Sequence, residues 1–110
     1  MNLHKDHQLL RIYLGENDYL DGKLRYQQIV NKAREMGISG ATVLRGILGY
    51  GALGEIHSAK ILRLSEDLPI VIEIVDTISE IERFLPVLDD MMSEGVITRH
   101  DIEVAYFRRE

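Results

Sequence analysis

Apolar residues recur along this chain with two different periods, and the changes of period predict six elements. Gln8–Leu14 (QLLRIYL) is apolar at nearly every position, as a strand at a sheet centre or covered on both faces is. Gly15-Glu16-Asn17-Asp18 then carries turn chemistry. Over Leu24–Met36, Tyr26, Ile29, Val30 and Ala33 fall at helical spacing. Lys32 and Arg34 complement the negative end of that helix dipole, and Gly37 suits the left-handed position beyond it. Ala41–Leu48 reads as a second strand, with Gly46 as a bulge or a place of close approach.

Ile70–Val75 (IVIEIV) is the most buried-looking strand, with Pro69 tolerated at its start. Thr77-x-x-Glu80 fits a capping box. From there Ile78, Ile81, Leu85, Leu88 and Met92 step by three and four along one helical face. Pro86 removes a backbone donor, which predicts a kink near Glu82–Pro86 in a single helix that Gly95 ends. Asp101–Phe107 is the last predicted strand, with Ile102, Val104 and Tyr106 on one face. The order β-α-β-loop-β-α-β, with each helix crossing between strands, gives an α+β fold: the ferredoxin-like βαββαβ sandwich with strands one and three central. The whole chain, 1–110, reads as one domain, with a frayed terminus over 1–7.

The long connection between the second and third strands sets this chain apart. Loops beyond about 12–15 residues in a compact domain are typically functional or disordered. Composition narrows what it can do. There is no cysteine, which excludes disulfides, thiolate metal sites and cysteine nucleophiles. The N-terminus lacks an apolar signal region and no stretch reaches the length of a membrane span, so a cytoplasmic protein without membrane insertion is expected. A net charge of −5 argues against a nucleic-acid surface. Between Gly40 and Ser65, however, Arg45, Lys60 and Arg63 face Glu55 alone, a local +2 that leaves −7 on the remainder. A small basic island on an acidic protein suits a compact anion.

Gly49-Tyr50-Gly51-Ala52-Leu53-Gly54 spells G-x-G-x-x-G after a strand. Three readings stand: a dinucleotide fingerprint, glycines that merely permit a turn, or backbone that closely approaches a ligand. Only 15 residues separate Gly54 from Ile70, which leaves little room for the helix a dinucleotide fold needs. His4, His7, His57 and His100 are too dispersed to form a ligand set, so no metal ligands are assigned. Ser58, His57, Lys60 and Asp67 have no spacing that calls for catalysis, and the expectation is a non-enzyme without catalytic residues.

Three stretches carry a family likeness: RIYLGENDYLDGKL (11–24), AREMGISGATVLRGILGYGALGEIHSAKILRLSEDLPIVIEIVD (33–76) and FLPVLDDMMSEGVIT (84–98). They resemble the PII-like proteins of bacteria and archaea grouped as the domain of unknown function DUF190, from about Leu10 to Val104. The resemblance implies a ferredoxin-like subunit assembled as a homotrimer. The wider PII superfamily binds adenine nucleotides between subunits and signals through a long loop, which here corresponds to 50–68. Gly49-Tyr50-Gly51 is similar to the glycine–aromatic–glycine at the base of that loop. The likeness ends after the second helix. PII proteins carry a lysine-ending, glycine-rich phosphate loop there, whereas this chain has Ser93-Glu94-Gly95-Val96-Ile97-Thr98-Arg99. The implied function is a signal-transduction protein with an adenine-nucleotide effector (ATP, ADP, AMP or cyclic AMP), no required cofactor, and a protein target such as a membrane transporter. Arg45, Gly49, Tyr50 and Gly51 are the expected ligand contacts, with His57, Lys60 and Arg63 recruited when the loop folds down. The rival reading is a CutA-like metal-binding or purely structural trimer without nucleotide.

Overall fold

The structure, a computed structural model, describes residues 3–51 and 67–106. Strand β1 (His4–Gly15) is followed by a small hairpin of β2 (Tyr19–Leu20) and β3 (Lys23–Leu24), helix α1 (Arg25–Glu35) and strand β4 (Thr42–Arg45). Strand β5 (Pro69–Thr77), helix α2 (Ile78–Met91) and strand β6 (Val96–Val104) complete the order. The main sheet runs β4-β5-β1-β6, antiparallel throughout. Its two most apolar strands, β1 and β5, are therefore central, and the arrangement is that of a small ferredoxin-like α+β fold.

One phase of the two central strands faces the helices. Leu10, Ile12 and Leu14 of β1 and Ile70, Ile72 and Ile74 of β5 are sealed there with Ile29, Ala33, Ile81, Phe84 and Leu88. The α1 stripe is the one its periodicity predicts. On α2 the ridge is Ile81-Phe84-Leu88, with Leu85 and Met92 at its flank. The predicted stripe followed the i+4 step to Leu85 and missed Phe84, the bulkiest fully buried side chain. Helix α2 runs as one helix through Pro86.

The ends of the elements are fixed by backbone chemistry. Gly37, at φ +80°, lies at the C′ position of α1. Its amide donates to Arg34 O at 3.1 Å and that of Ile38 to Ala33 O at 3.0 Å, the two bonds of a Schellman motif. Thr77 caps α2, its Oγ1 accepting from Glu80 N at 3.2 Å. The reciprocal half of the expected box is not made: Thr77 N donates to Asp76 Oδ1, and the Glu80 carboxylate turns to Arg83.

Three expectations change. The segment predicted to be frayed over 1–7 is strand from His4 onward, because β6 is long enough to pair with it: His4 lies opposite Val104 and His7 opposite Ile102. The last strand begins at Val96, five residues before the predicted Asp101. Gly95 makes this possible. At φ +134° a Cβ there would overlap the Tyr13 carbonyl oxygen, so the glycine belongs to the turn into β6 and α2 has already ended at Met91. The second strand is shorter than predicted, ending at Arg45, where the chain turns over Pro69.

Candidate functional site

The long connection leaves the sheet at Arg45 and returns at Pro69; its two ends are bonded to each other, and the returning end to the turn after β1. Gly46 N donates to Pro69 O at 2.7 Å, Glu16 N to Leu68 O at 2.9 Å, and Asn17 N to Asp67 Oδ1 at 3.2 Å. The Pro69 ring fills the space beneath the turn. A Cβ on Gly46 would come within 2.6 Å of Pro69 Cγ, and one on Gly49 within 3.1 Å. The close approach these glycines permit is therefore to a neighbouring ring of the protein itself. Gly51 differs: its φ is +97° and a Cβ would meet open space, so glycine is required there by backbone conformation alone.

Of the expected ligand contacts, Arg45, Gly49, Tyr50 and Gly51 come together on this turn, while His57, Lys60 and Arg63 lie outside the described residues, as does the body of the expected 50–68 loop over 52–66. Arg45 closes the edge strand β4 and pairs with Glu16, Nη2 to Oε1 at 3.1 Å. Its side chain is 61% exposed and that of Glu16 only 22%. Ile47, Leu48 and Tyr50 project into solvent beside it, giving the turn an apolar rim next to a cation. Such a turn can take a flat ring against Tyr50 and an anion against Arg45. A groove of about 470 Å³ lies near the opposite end of β4, lined by Val30, Ala33, Arg34, Ile38, Ser39 and Ala41 among others, and does not include this turn.

The face of the sheet away from the helices is a second candidate surface. Strand register sets its rows. Leu44, Val71, Tyr13 and Val96 form one apolar row across all four strands. Thr42, Glu73, Arg11 and Thr98 form the next, with an Arg11–Glu73 ion pair at 2.8 Å in its centre. Val75, Leu9 and His100 make a third. The Glu73 hydrogen bond is the main reason Arg11 has a pKa above its ordinary value. That contribution is present below the ordinary arginine range and lost only above it, so the arginine keeps its charge at any physiological pH.

Two polar clusters were missed from sequence. Asp76 is buried at the end of β5, and its Oδ2 accepts from Ser39 N at 2.9 Å, which ties the approach to β4 onto the core. Arg25 is buried at the start of α1. It donates to Met91 O and, at 2.9 Å, to Tyr19 O, while its Nε lies 3.0 Å from Asp18 Oδ2 at an angle outside hydrogen-bond geometry. The hairpin it clamps turns at Asp21 and Gly22, both with positive φ. Asp-Gly between Tyr19-Leu20 and Lys23-Leu24 is the sequence signal that would have found it. Among the described residues no cluster of His, Asp and Glu could hold a metal ion, and no helix is long and apolar enough to cross a membrane.

A UPF0166 protein of Aquifex aeolicus is 42% identical over 98 residues, covering 89% of this chain and 92% of its own length. A UPF0166 protein of Methanocaldococcus jannaschii is 43% identical over 97 residues, covering 87% and 89%. A second Aquifex aeolicus UPF0166 protein is 36% identical over 96 residues, covering 87% and 94%. The family model of DUF190, described as "Uncharacterized ACR", matches residues 7–104, from the start of the well-packed part of β1 to the end of β6. On sheet order, core and near full-length match together, the chain belongs to the DUF190 family.

Proposed function

We propose that this chain is a non-enzymatic, PII-like regulatory subunit that assembles as a homotrimer and binds a small anionic effector, an adenine nucleotide, in a cleft between subunits. The effector changes the 50–68 segment, which is read by a protein target. The observation that carries the reading is the turn at the base of that segment. It combines an exposed cation at the end of an edge strand, an exposed aromatic ring and a left-handed glycine, on a turn whose Gly46 and Gly49 lie against Pro69. A rigid base beneath a long connection is what lets occupancy of a small site bias a larger element.

The trimer is supported by the uncovered sheet face. Leu44 and Val96, both more than two-fifths exposed, end an apolar row on it that continues between them through Val71 and Tyr13. Contiguous apolar surface of this kind marks a protein interface. A subunit cleft beside the β4 edge would then place a neighbour's residues opposite Arg45.

Calorimetric titration with ATP, ADP, AMP and cyclic AMP tests the site. Wild type binds at least one of the four below millimolar. Arg45→Ala loses a charge-assisted bond and weakens binding about 10- to 150-fold, with the trimer intact by light scattering. Gly51→Val weakens it through the backbone. If none of the four binds wild type, the nucleotide assignment fails and a structural or metal-binding trimer takes its place.

A further inference from the structure

Glu16 touches both ends of the long connection. Its carboxylate reaches Arg45 where the chain leaves the sheet, and its amide holds Leu68 O where the chain returns. The two partners of the ion pair are not equivalent. Glu16 follows β1 directly and is anchored through its backbone, with 22% of its side chain exposed, whereas Arg45 is on an edge strand with 61% exposed. The acid is the fixed partner and the arginine the accessible one. An anion arriving at Arg45 meets a guanidinium whose charge is already matched, with a shielded carboxylate 3.1 Å away.

We infer that Glu16 is a built-in competitor for the effector's anionic group: it occupies Arg45 when the site is empty and is displaced when a phosphate binds. This rests on the nucleotide reading above and adds the residue that sets the strength and charge selectivity of the site. Displacement has a structural consequence. A carboxylate left beside a bound phosphate is repelled, so the Glu16 side chain turns away from Arg45 and the strain falls on its backbone, whose amide holds the returning end of the connection. Occupancy at Arg45 is thereby coupled to the anchor at Leu68. The effect is specific to charge: a neutral ligand resting on Tyr50 without reaching Arg45 does not compete with Glu16.

The test is calorimetric titration of wild type, Glu16→Gln, Arg45→Ala and the double variant with ATP, AMP and uncharged adenosine. Glu16→Gln keeps the side-chain shape, and its melting midpoint stays within a few degrees of wild type. An exposed ion pair of this kind holds back binding by about two- to five-fold, so Glu16→Gln binds ATP and AMP more tightly by that factor. Adenosine affinity does not change, and the gain disappears in the Arg45→Ala background. Unchanged or weaker nucleotide binding by Glu16→Gln would show that Glu16 orients Arg45 and does not compete, which overturns the inference and leaves the nucleotide site standing. An equal gain for adenosine, or a gain that survives Arg45→Ala, overturns it as well. Absence of nucleotide binding in both wild type and Glu16→Gln removes the nucleotide reading and this inference with it.

Discussion

The two faces of the central strands are built from the same kinds of residue and have opposite fates. On the helix side, Leu10, Ile12, Leu14, Ile70, Ile72 and Ile74 lose all or nearly all contact with water. Directly behind them, Leu9, Tyr13, Val71 and Val75 stay half-buried or exposed. Polar groups follow the same division. At the covered face they lie at the ends and are bonded: Gln8 accepts from Arg99 and donates to Asp101 at 2.8 Å, and Asp76 accepts two amides. On the open face an ion pair crosses the middle of the sheet. A strand apolar in both phases needs a cover on each side, and the described residues supply one. A central Arg11–Glu73 pair also restricts how an apolar partner can be laid across the face, since a misaligned copy would bury its charges unmatched.

The sharpest way to break this comparison is a charge on the open face. Val71→Asp leaves the helix-side core untouched, but an unpaired carboxylate buried between subunits costs several kcal/mol. The proposed trimer should give way to monomer in light scattering coupled to size exclusion. A trimer that persists would mean the face is not the interface. On the covered side, Phe84→Ala should destabilise by about 3–5 kcal/mol in urea unfolding, because the ring is fully buried in the core and its loss leaves a cavity. A loss under about 1 kcal/mol would show that α2 is loosely packed. Gly95→Ala combines a disfavoured φ with an overlap on the Tyr13 backbone, and about 1–3 kcal/mol should be lost, with β6 weakened first in hydrogen exchange. The smallest effect is Thr77→Ala, about 1 kcal/mol from one lost cap bond, read as a shift in urea midpoint with unchanged slope.

Much of the fold was legible because its signals are local. Two helical stripes, a capping threonine, Gly37 beyond α1 and the two apolar strands each declare themselves within a few residues. The likeness of the stretches 11–24, 33–76 and 84–98 to one family was legible for the same reason. Phe84 was missed because a helix offers both i+3 and i+4 continuations, and only the position of the sheet chooses between them. Asp76 and Arg25 were missed because their partners are backbone groups 37 and 66 residues away. At the candidate site, Arg45 and the Gly49–Gly51 turn lie a few residues apart in the sequence and were named together, but Glu16 was not named. It lies in a turn that looks solvated, and nothing near it in sequence suggests a cation.

The sequence by itself determined the two helices and the four strands of the main sheet, their order and the presence of a long connection after the second of those strands, since periodicity and turn chemistry act over one element at a time. Only the tertiary structure decided where that connection is anchored. Glu16, Arg45 and Pro69 come from three separate segments, and they meet because antiparallel pairing of β1 with β5 and of β5 with β4 brings one end of each strand to the same edge of the molecule. Register also decided the uncovered face. A shift of one residue would have turned Tyr13 and Val71 to the helices, and it is the burial of Ile12 and Ile72 against them that holds the other phase outward.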